Sequence, residues 1–311
     1  MTIKGVKKDS KLTPIFIWSS FLLMVMTVWL IPVHPVRADM VVDWTFNQSS
    51  GKVAMDSGPN SINGTLTGTT ASWSTGMGQN AVNLTGDGFV NFTQPGFPKV
   101  PDVISQLSQG SIAVEFYVSS YPSYNTILPI FWMGRGLGGP NQYGLTIEIG
   151  HGPPYTPTYN HNLYFTIMDG SVPVQCFNTV QEIQAGQWYT FVGVVSSTGN
   201  TGYLNGQELY DRHYNFGDPN TTDFFSSVTN PSNALWVGKG FLGDTFTPMY
   251  FNGLIQNVQI YNTPLTGDQI KDLYSVPEPS SFVLGILALA AMTGWLKLGN
   301  ANIRLFSVAI K

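Results

Sequence analysis

Charge and cysteine are both scarce in this chain. Asp, Glu, Lys and Arg make up 10% of the 311 residues, and Cys176 is the single cysteine. One cysteine excludes an intramolecular disulfide. We interpret Cys176 as a small buried hydrophobe on a strand edge, because free cysteine usually packs as an apolar side chain.

Basic residues are especially rare between the two ends of the chain. Residues 39–275 carry sixteen Asp and Glu against six Lys and Arg, which leaves a formal charge of −10. Such a segment lacks the basic stripe that binds a phosphate backbone, so we expect no nucleic-acid partner. The same negative charge favours a divalent cation.

Helical periodicity is nearly absent from residues 39–275. Apolar and polar residues alternate over 111–118, 143–149 and 162–168, and residues 188–195 are almost continuously apolar. Alternation is typical of strands with one buried face. Many short strands between Gly and Asn turns predict an all-β fold, a two-sheet antiparallel jelly-roll sandwich. A length of about 235 residues fits one domain over 39–275.

Two local signals are more specific. Asn205-Gly206, between short apolar stretches, predicts a two-residue type I′ hairpin, because both residues tolerate positive φ. Thr266 and Gln269 have the Thr-x-x-Gln spacing of a capping box, which predicts a helix with Ile270 on its apolar face.

The N-terminal segment 1–38 is predicted to be a secretory signal peptide. Four lysines precede an apolar stretch over 15–31, and a small residue stands before the expected cleavage between Ala38 and Asp39. An uncleaved N-terminal membrane anchor is the alternative, since the apolar stretch is long for a signal peptide. Either interpretation predicts an exported protein.

The C-terminal segment 276–311 is predicted to be a sorting segment. Pro277-Glu278-Pro279 precedes an apolar stretch that we expect to form a hydrophobic helix over 281–296. The two prolines favour an extended backbone that presents Glu278. The helix is shorter than the ~20 residues of a comfortable membrane span. An ordinary C-terminal membrane anchor is the alternative.

Six segments of residues 39–275 resemble the laminin-G-like, concanavalin A-like lectin/glucanase family. They are 42–46, 56–66, 81–84, 186–191, 202–206 and 251–265. The resemblance implies a two-sheet sandwich. The family includes glycosidases, and its members often hold a structural calcium between the loop that corresponds to 56–66 and the closing strand.

The tail resembles the PEP-CTERM sorting signal of Gram-negative bacteria that make extracellular polysaccharide. The resemblance implies an exosortase-type processing enzyme as a partner, and a membrane contact through the C-terminal helix before processing. It also implies a location at the cell envelope, the cell surface or the extracellular matrix of a Gram-negative-type bacterium. The chain departs from that signal after Lys297, where only Arg304 and Lys311 follow in place of a basic cluster.

The 56–64 loop is the predicted calcium site. Asp56 supplies a carboxylate, and Asn60 and Asn63 supply amide oxygens, which suit a hard cation. Related closing strands often carry acidic residues where this chain has neutral Gln256 and Asn257. We therefore expect the calcium ion to bind more weakly here. Asx turns made by Asp56 and Asn63 are the alternative.

Two aromatic loops are the predicted ligand-binding residues. The 151–161 loop carries Tyr155, Tyr159 and His161 among prolines, and the 211–223 loop carries Tyr214 and Asn215. Tyrosine and amide side chains of this kind stack on sugar rings and bind their hydroxyls. Ordinary surface loops are the alternative for each.

Paired carboxylates are missing from the strand patterns. Retaining glycosidases need two carboxyl groups about 5 Å apart, whereas Glu115 and Glu148 each stand alone in their strands, at positions opposite the core side. We therefore expect a non-catalytic surface or matrix protein that binds extracellular polysaccharide. The alternatives are a structural or adhesive component that binds surface proteins, and a glycoside hydrolase with dispersed acids.

Overall fold

The computed structural model describes most of the central segment. The described residues are 39–75, 80–95, 100–122, 127–135, 143–150, 160–169, 172–228, 230, 233–241 and 247–274. The predicted signal peptide, the sorting segment and the helix over 281–296 lie outside them. No helix of the described residues is long and apolar enough to cross a membrane.

Strands dominate the described chain. In chain order they are β1 (Met40–Trp44), β2 (Val53–Ala54), β3 (Gly64–Thr67), β4 (Ser72–Ser74), β5 (Ala81–Leu84), β6 (Phe89–Asn91), β7 (Gly110–Val118), β8 (Ile127–Arg135), β9 (Gly144–Gly150), β10 (Asn162–Asp169), β11 (Val172–Glu182), β12 (Trp188–Ser196), β13 (Gly199–Leu204), β14 (Gln207–Glu208), β15 (His213–Phe216), β16 (Asn233–Val237), β17 (Lys239–Phe241), β18 (Pro248–Tyr250) and β19 (Gly253–Tyr261). The helical elements are α1 (Asp102–Ser105), a 3-10 turn (Phe225–Val228) and α2 (Gly267–Tyr274).

The strands form two large antiparallel sheets. The eight-stranded sheet has the order β14-β13-β12-β7-β19-β5-β4, with β1 paired to β19. The nine-stranded sheet has the order β15-β11-β10-β9-β8-β16-β6-β3-β2, and β17 and β18 form a separate hairpin. The predicted all-β two-sheet antiparallel sandwich is therefore confirmed.

One apolar core lies between the sheets. It includes Phe116 and Phe191 from the eight-stranded sheet and Phe131, Phe165 and Phe177 from the nine-stranded sheet, all fully buried. Phe165 and Phe191 bring their ring centroids to 6.1 Å across the gap between the sheets. Burial of these large rings supplies the main driving force for joining the two sheets.

The capping box and the hairpin are both confirmed. The Gln269 side chain accepts a hydrogen bond from Thr266 N at 2.9 Å, and Thr266 Oγ1 accepts one from Gln269 N at 3.3 Å. Asn205 and Gly206 have φ values of +51° and +75°, as a type I′ turn requires.

Helix α2 packs on the outside of the eight-stranded sheet. Ile270 is fully buried in a cluster with Leu265, Val192, Val194 and Tyr203. The helix therefore covers part of the sheet face that points away from the core.

Candidate functional site

The face of the nine-stranded sheet that points away from the core is here named the outer face. Phe131, Ile147, Phe165 and Phe177 enter the core, so the residues next to them in each strand point outward. Strand register aligns the outward residues into a first row. Its members are Trp236, Trp132, Thr146, Thr166 and Cys176.

A second row runs beside the first. Cross-strand register aligns Pro129 with Glu148, Glu148 with Tyr164, Tyr164 with Asn178, and Asn178 with His213. Together the two rows place aromatic, amide, hydroxyl and carboxyl groups on one continuous sheet surface.

Glu148 is the acid of this surface. It is half-buried, and burial raises the pKa of its carboxyl group from 4.5 to about 7. Among the described residues, no group donates a hydrogen bond to this carboxyl group and no cation pairs with it. A carboxyl group held in this way can accept or donate a hydrogen bond near neutral pH.

Trp132 supplies an unused donor on the same face. Its side chain is 6% exposed, and its indole N–H has no acceptor among the described residues. Glycines flank the ring closely: an added Cβ would lie 2.6 Å from Nε1 at Gly134 and 2.4 Å from Cε3 at Gly240. An unsatisfied buried N–H costs roughly 1–3 kcal/mol, so a ligand acceptor here is favourable.

Asn215 lies at the other end of the first row. Its Nδ2 donates to Asn178 Oδ1 at 3.2 Å and approaches Cys176 Sγ at 3.7 Å. The structure therefore places one predicted ligand residue on the outer face. Cys176 is buried as predicted, and burial raises the pKa of its thiol.

Tyr214 points to the opposite side. The predicted 211–223 loop contains the strand β15, which pairs with β11 and forms one edge of the nine-stranded sheet. Alternation then sends the Tyr214 ring toward Phe177, with centroids 5.4 Å apart. Its hydroxyl accepts from Arg212 Nε at 2.5 Å and donates to Asn200 Oδ1 at 2.6 Å.

The 151–161 loop is described only at its end. Tyr155 and Tyr159 lie outside the described residues. His161 has a φ of +65° and stacks on Tyr121, with ring centroids 3.7 Å apart and 13° between the planes. A ligand role for the loop stays a prediction.

In the predicted calcium loop, backbone N–H groups bind the Asp56 carboxylate. Asp56 Oδ1 accepts from Asp43 N at 2.9 Å and from Gly58 N at 2.8 Å, and Oδ2 accepts from Ile62 N at 2.8 Å. The carboxylate therefore joins β1 to the loop that leads into β3.

The two amides of this loop are also engaged. Asn63 Oδ1 accepts from Asp56 N at 2.8 Å, and Asn60 Nδ2 donates to Val41 O at 2.9 Å. No group of three or more His, Cys, Asp or Glu in the described part of the chain could hold a metal ion. Calcium stays a prediction, and the ion would compete with backbone N–H groups for these oxygens.

An aromatic cluster ends the outer face at β6, β16 and the β17–β18 hairpin. Trp236 lies 6.0 Å from Phe89 and 5.7 Å from Phe241, between ring centroids. The Trp236 Nε1 donates to Asn91 Oδ1 at 3.1 Å. Sequence reasoning missed Trp132 and Trp236, although their place beside apolar core residues in short strands was a signal that they point outward.

Several solved structures are similar to this chain. Trypanosoma rangeli sialidase in complex with sialic acid is 16% identical, with a TM-score of 0.50 over 76% of this chain and 32% of that chain. A second similar structure is domain 4 of AbnA, a GH43 extracellular arabinanase from Geobacillus stearothermophilus, in complex with arabinotriose. It is 20% identical, with a TM-score of 0.48 over 76% of this chain and 99% of that chain. At 16% identity, the likeness to the sialidase shows the fold alone.

A third similar structure is the Ruminococcus gnavus IT-sialidase CBM40 bound to alpha2,3 sialyllactose. It is 16% identical, with a TM-score of 0.41 over 54% of this chain and 84% of that chain. The chain spans about a third of the length of the sialidases that it matches. A search of curated proteins finds no match.

A family model matches residues 98–271, which is more than half of the chain. The model describes the laminin G-like type of the Concanavalin A-like lectin/glucanases superfamily. The middle and closing motifs of the sequence resemble the same type. The observed two-sheet sandwich agrees with that match. The chain therefore belongs to the laminin G-like family of the concanavalin A-like lectin/glucanases superfamily.

Proposed function

We propose that the protein is a non-catalytic glycan-binding protein whose ligand lies on the outer face of the nine-stranded sheet. The observation that carries the proposal is that one face presents both an unused hydrogen-bond donor and an unused carboxyl group. Trp132 offers its indole N–H and Glu148 its carboxyl group, and neither has a partner among the described residues.

Trp132 and Glu148 are diagonal neighbours on the outer face. Trp132 pairs with Thr146, and Glu148 stands two residues further along the same strand. Diagonal neighbours of this kind are roughly 7–8 Å apart between backbones. The indole Nε1 lies toward Gly134, whereas Glu148 is in register with Pro129, so the two groups would bind hydroxyl groups of different sugar residues in one glycan chain.

The neighbouring polar groups extend the same chemistry. Thr146 and Asn178 are buried polar residues of the outer face, and Tyr164 lies between Glu148 and Asn178 in the register. Sugar-binding sites combine a few fixed polar groups with aromatic surfaces. The family description, which names lectins and glucanases, agrees with a carbohydrate ligand.

Two conservative variants test this proposal. Trp132→Phe removes the N–H but keeps a ring, and Glu148→Gln removes the charge but keeps the shape. We expect each to weaken binding by about tenfold on a glycan array and in calorimetry with the best ligand, as for one lost hydrogen bond to a charged or buried group.

Glu115→Gln is the matched control. Glu115 is also a strand glutamate whose pKa is raised by burial, but it belongs to the eight-stranded sheet. Binding by the control should equal that of the parent chain. An equal loss in all three variants, or no glycan bound by the parent chain, would contradict the outer face as the site.

A non-catalytic role is part of the proposal. A pKa near 7 suits a general acid, and this observation favours a glycoside hydrolase as the second candidate. Retaining hydrolysis also needs a second carboxyl group about 5 Å away. Among the described residues, burial alone raises the Glu148 pKa, with no contribution from another carboxylate. Release of reducing sugar that Glu148→Gln abolishes would favour the hydrolase instead.

We also propose that the protein is exported and sorted to the cell surface or matrix through its tail. The signal-peptide pattern of 1–38 and Pro277-Glu278-Pro279 support this location. Cell fractionation of a tagged chain should find the parent outside the inner membrane. Ala replacements at Pro277, Glu278 and Pro279 should leave the protein in the inner membrane, and unchanged sorting would contradict the role of the tripeptide.

A further inference from the structure

A lysine stands over the aromatic cluster of the outer face. Lys239 begins β17, and its Nζ lies 4.4 Å from the Phe89 ring centroid, 4.6 Å from that of Trp236 and 5.7 Å from that of Tyr250. The electron-rich faces of three rings hold the ammonium group in place.

No anion neutralises this ammonium group among the described residues. Lys239 makes no ion pair and no hydrogen bond there, and burial against the rings lowers its pKa. Two other cations have partners, since Arg212 donates to Thr201 Oγ1 and Leu209 O and Lys271 pairs with Asp268 at 3.7 Å. Lys52 is exposed to water, whereas Lys239 is partly buried against the rings.

The carboxylate that perturbs this cluster is already engaged. Burial raises the pKa of Tyr250 and the charge of Asp87 raises it further, so that charge reaches the cluster. However, Asp87 Oδ1 accepts hydrogen bonds from Thr69 N at 2.9 Å and from Thr70 Oγ1 at 2.9 Å. Among the described residues Asp87 makes no ion pair with Lys239, so the ammonium group keeps N–H groups that can bind an incoming anion.

The lysine is continuous with the outer face. Trp236, under the Lys239 ammonium, pairs in register with Trp132. Gly240, the next residue, lies so close to Trp132 that a Cβ there would be 2.4 Å from Cε3. The β17–β18 hairpin therefore packs against Trp132, which places Lys239 next to the part of the outer face where we propose that the glycan binds.

We propose that Lys239 binds the carboxylate of a uronic acid residue, so that the glycan recognised by the outer face is an acidic polysaccharide. This inference rests on the proposed function and narrows its ligand class. The acidic body, with a formal charge of −10 over residues 39–275, disfavours non-specific attraction of polyanions. Recognition of an acidic sugar would then depend on a single positioned cation and the hydroxyl contacts around it.

The test compares one oligosaccharide with and without its charge. Binding of an oligogalacturonate and of the same oligomer as its methyl ester is measured by calorimetry with the full-length chain. We expect the ester to bind about tenfold more weakly or worse, as for a lost charge-assisted hydrogen bond. Equal affinity for the two oligomers would overturn the proposal.

Three variants assign the difference to Lys239. Lys239→Met keeps the apolar stem on the rings and should bind both oligomers with the lower affinity of the ester. Lys239→Arg keeps the charge and should retain most of the preference. Lys52→Met makes the same change of net charge at an exposed site and should behave as the parent chain. An unchanged preference in Lys239→Met would overturn the proposal.

Two further outcomes separate this inference from the proposed function. A parent chain that binds neutral glycans, but not the oligogalacturonate, would overturn the acidic ligand and leave the outer-face site standing. A parent chain that binds no glycan would overturn both. Binding of the methyl ester by Lys239→Met at the parent's affinity would show that the variant is folded.

Discussion

The two sheets of the sandwich present very different outer faces. On the eight-stranded sheet, Ile270 of α2 and Leu265, just before that helix, pack over Val192 and Val194. On the nine-stranded sheet, the outer face carries two rows of polar and aromatic side chains. One face is thus partly used to attach a helix, while the other combines aromatic rings with polar groups. Unpaired polar groups alone do not separate the two faces, because Asn257 Oδ1 of β19 also has no partner among the described residues. The rows of aromatic and polar side chains are the strongest reason to place ligand binding on the nine-stranded sheet.

Each sheet also has one glutamate with a raised pKa. Glu115 pairs in register with Thr190 and Asn257, and Glu148 pairs with Pro129 and Tyr164. Burial is the cause of the shift at both residues. The comparison teaches that an acid in an alternating strand cannot be interpreted alone, since the neighbouring strands decide whether its surroundings suit a ligand.

Removal of the helix contact should have the largest effect on stability. Ile270→Ala deletes a fully buried side chain and should lower the free energy of unfolding by about 3–4 kcal/mol. Leu273→Ala, on the same helix but 38% exposed, should cost less than about 1 kcal/mol. Urea unfolding measures both. A change of glycan affinity in folded Ile270→Ala would break the distinction between the two faces.

Titration of Glu148 should have the next largest effect. The carboxyl pKa is about 7 in the fold, against 4.5 as its ordinary value, so the folded state disfavours ionisation. Below pH 4.5 the group is protonated in both states and stability is unaffected. As pH rises from 4.5 to 7, the unfolded chain ionises first and stability falls, by up to about 2–3 kcal/mol.

Glu148→Gln should abolish that fall. The variant should match the parent chain at low pH and exceed its stability above pH 7, as measured by thermal unfolding across the pH range. Glu115→Gln should show the same sign, because its pKa is also raised by burial. A variant less stable than the parent above pH 7 would show that the ionised carboxylate has a stabilising partner.

The loop that joins the sheets should give a smaller effect. Asp56→Ala leaves three backbone N–H groups without their acceptor and should cost about 2 kcal/mol. Asp56→Asn keeps one acceptor oxygen and should cost less. The loss should be the same in calcium and in EDTA if the carboxylate serves the backbone alone. A loss seen only with calcium present would instead support the predicted ion.

Local signals were predictable from the sequence, whereas relations between strands were not. The capping box of Thr266 and Gln269 and the turn at Asn205-Gly206 depend on residues within a few positions, and both are confirmed. The sandwich itself follows from alternation repeated along the chain.

The candidate site depends on contacts between distant strands. Trp132, Glu148 and Lys239 meet on one face only through the pairing of β8 with β9 and β16 and through the β17–β18 hairpin. Tyr214 and Asn215 were predicted to act together, but β15 sends them to opposite sides of the sheet. A sequence shows alternation within a strand, but not which neighbour that strand takes.

The irregular register of β8 between Pro129 and Phe131 has a consequence for the phase of that strand. In a regular strand, residues three positions apart face opposite sides, so Pro129 and Trp132 could not share a face. The one extra residue, Ile130, resets the alternation and lets both point outward while Ile130 and Phe131 remain in the core. Loss of that single residue would exchange inside for outside along part of β8, and the protein would lose its candidate site and part of its core together.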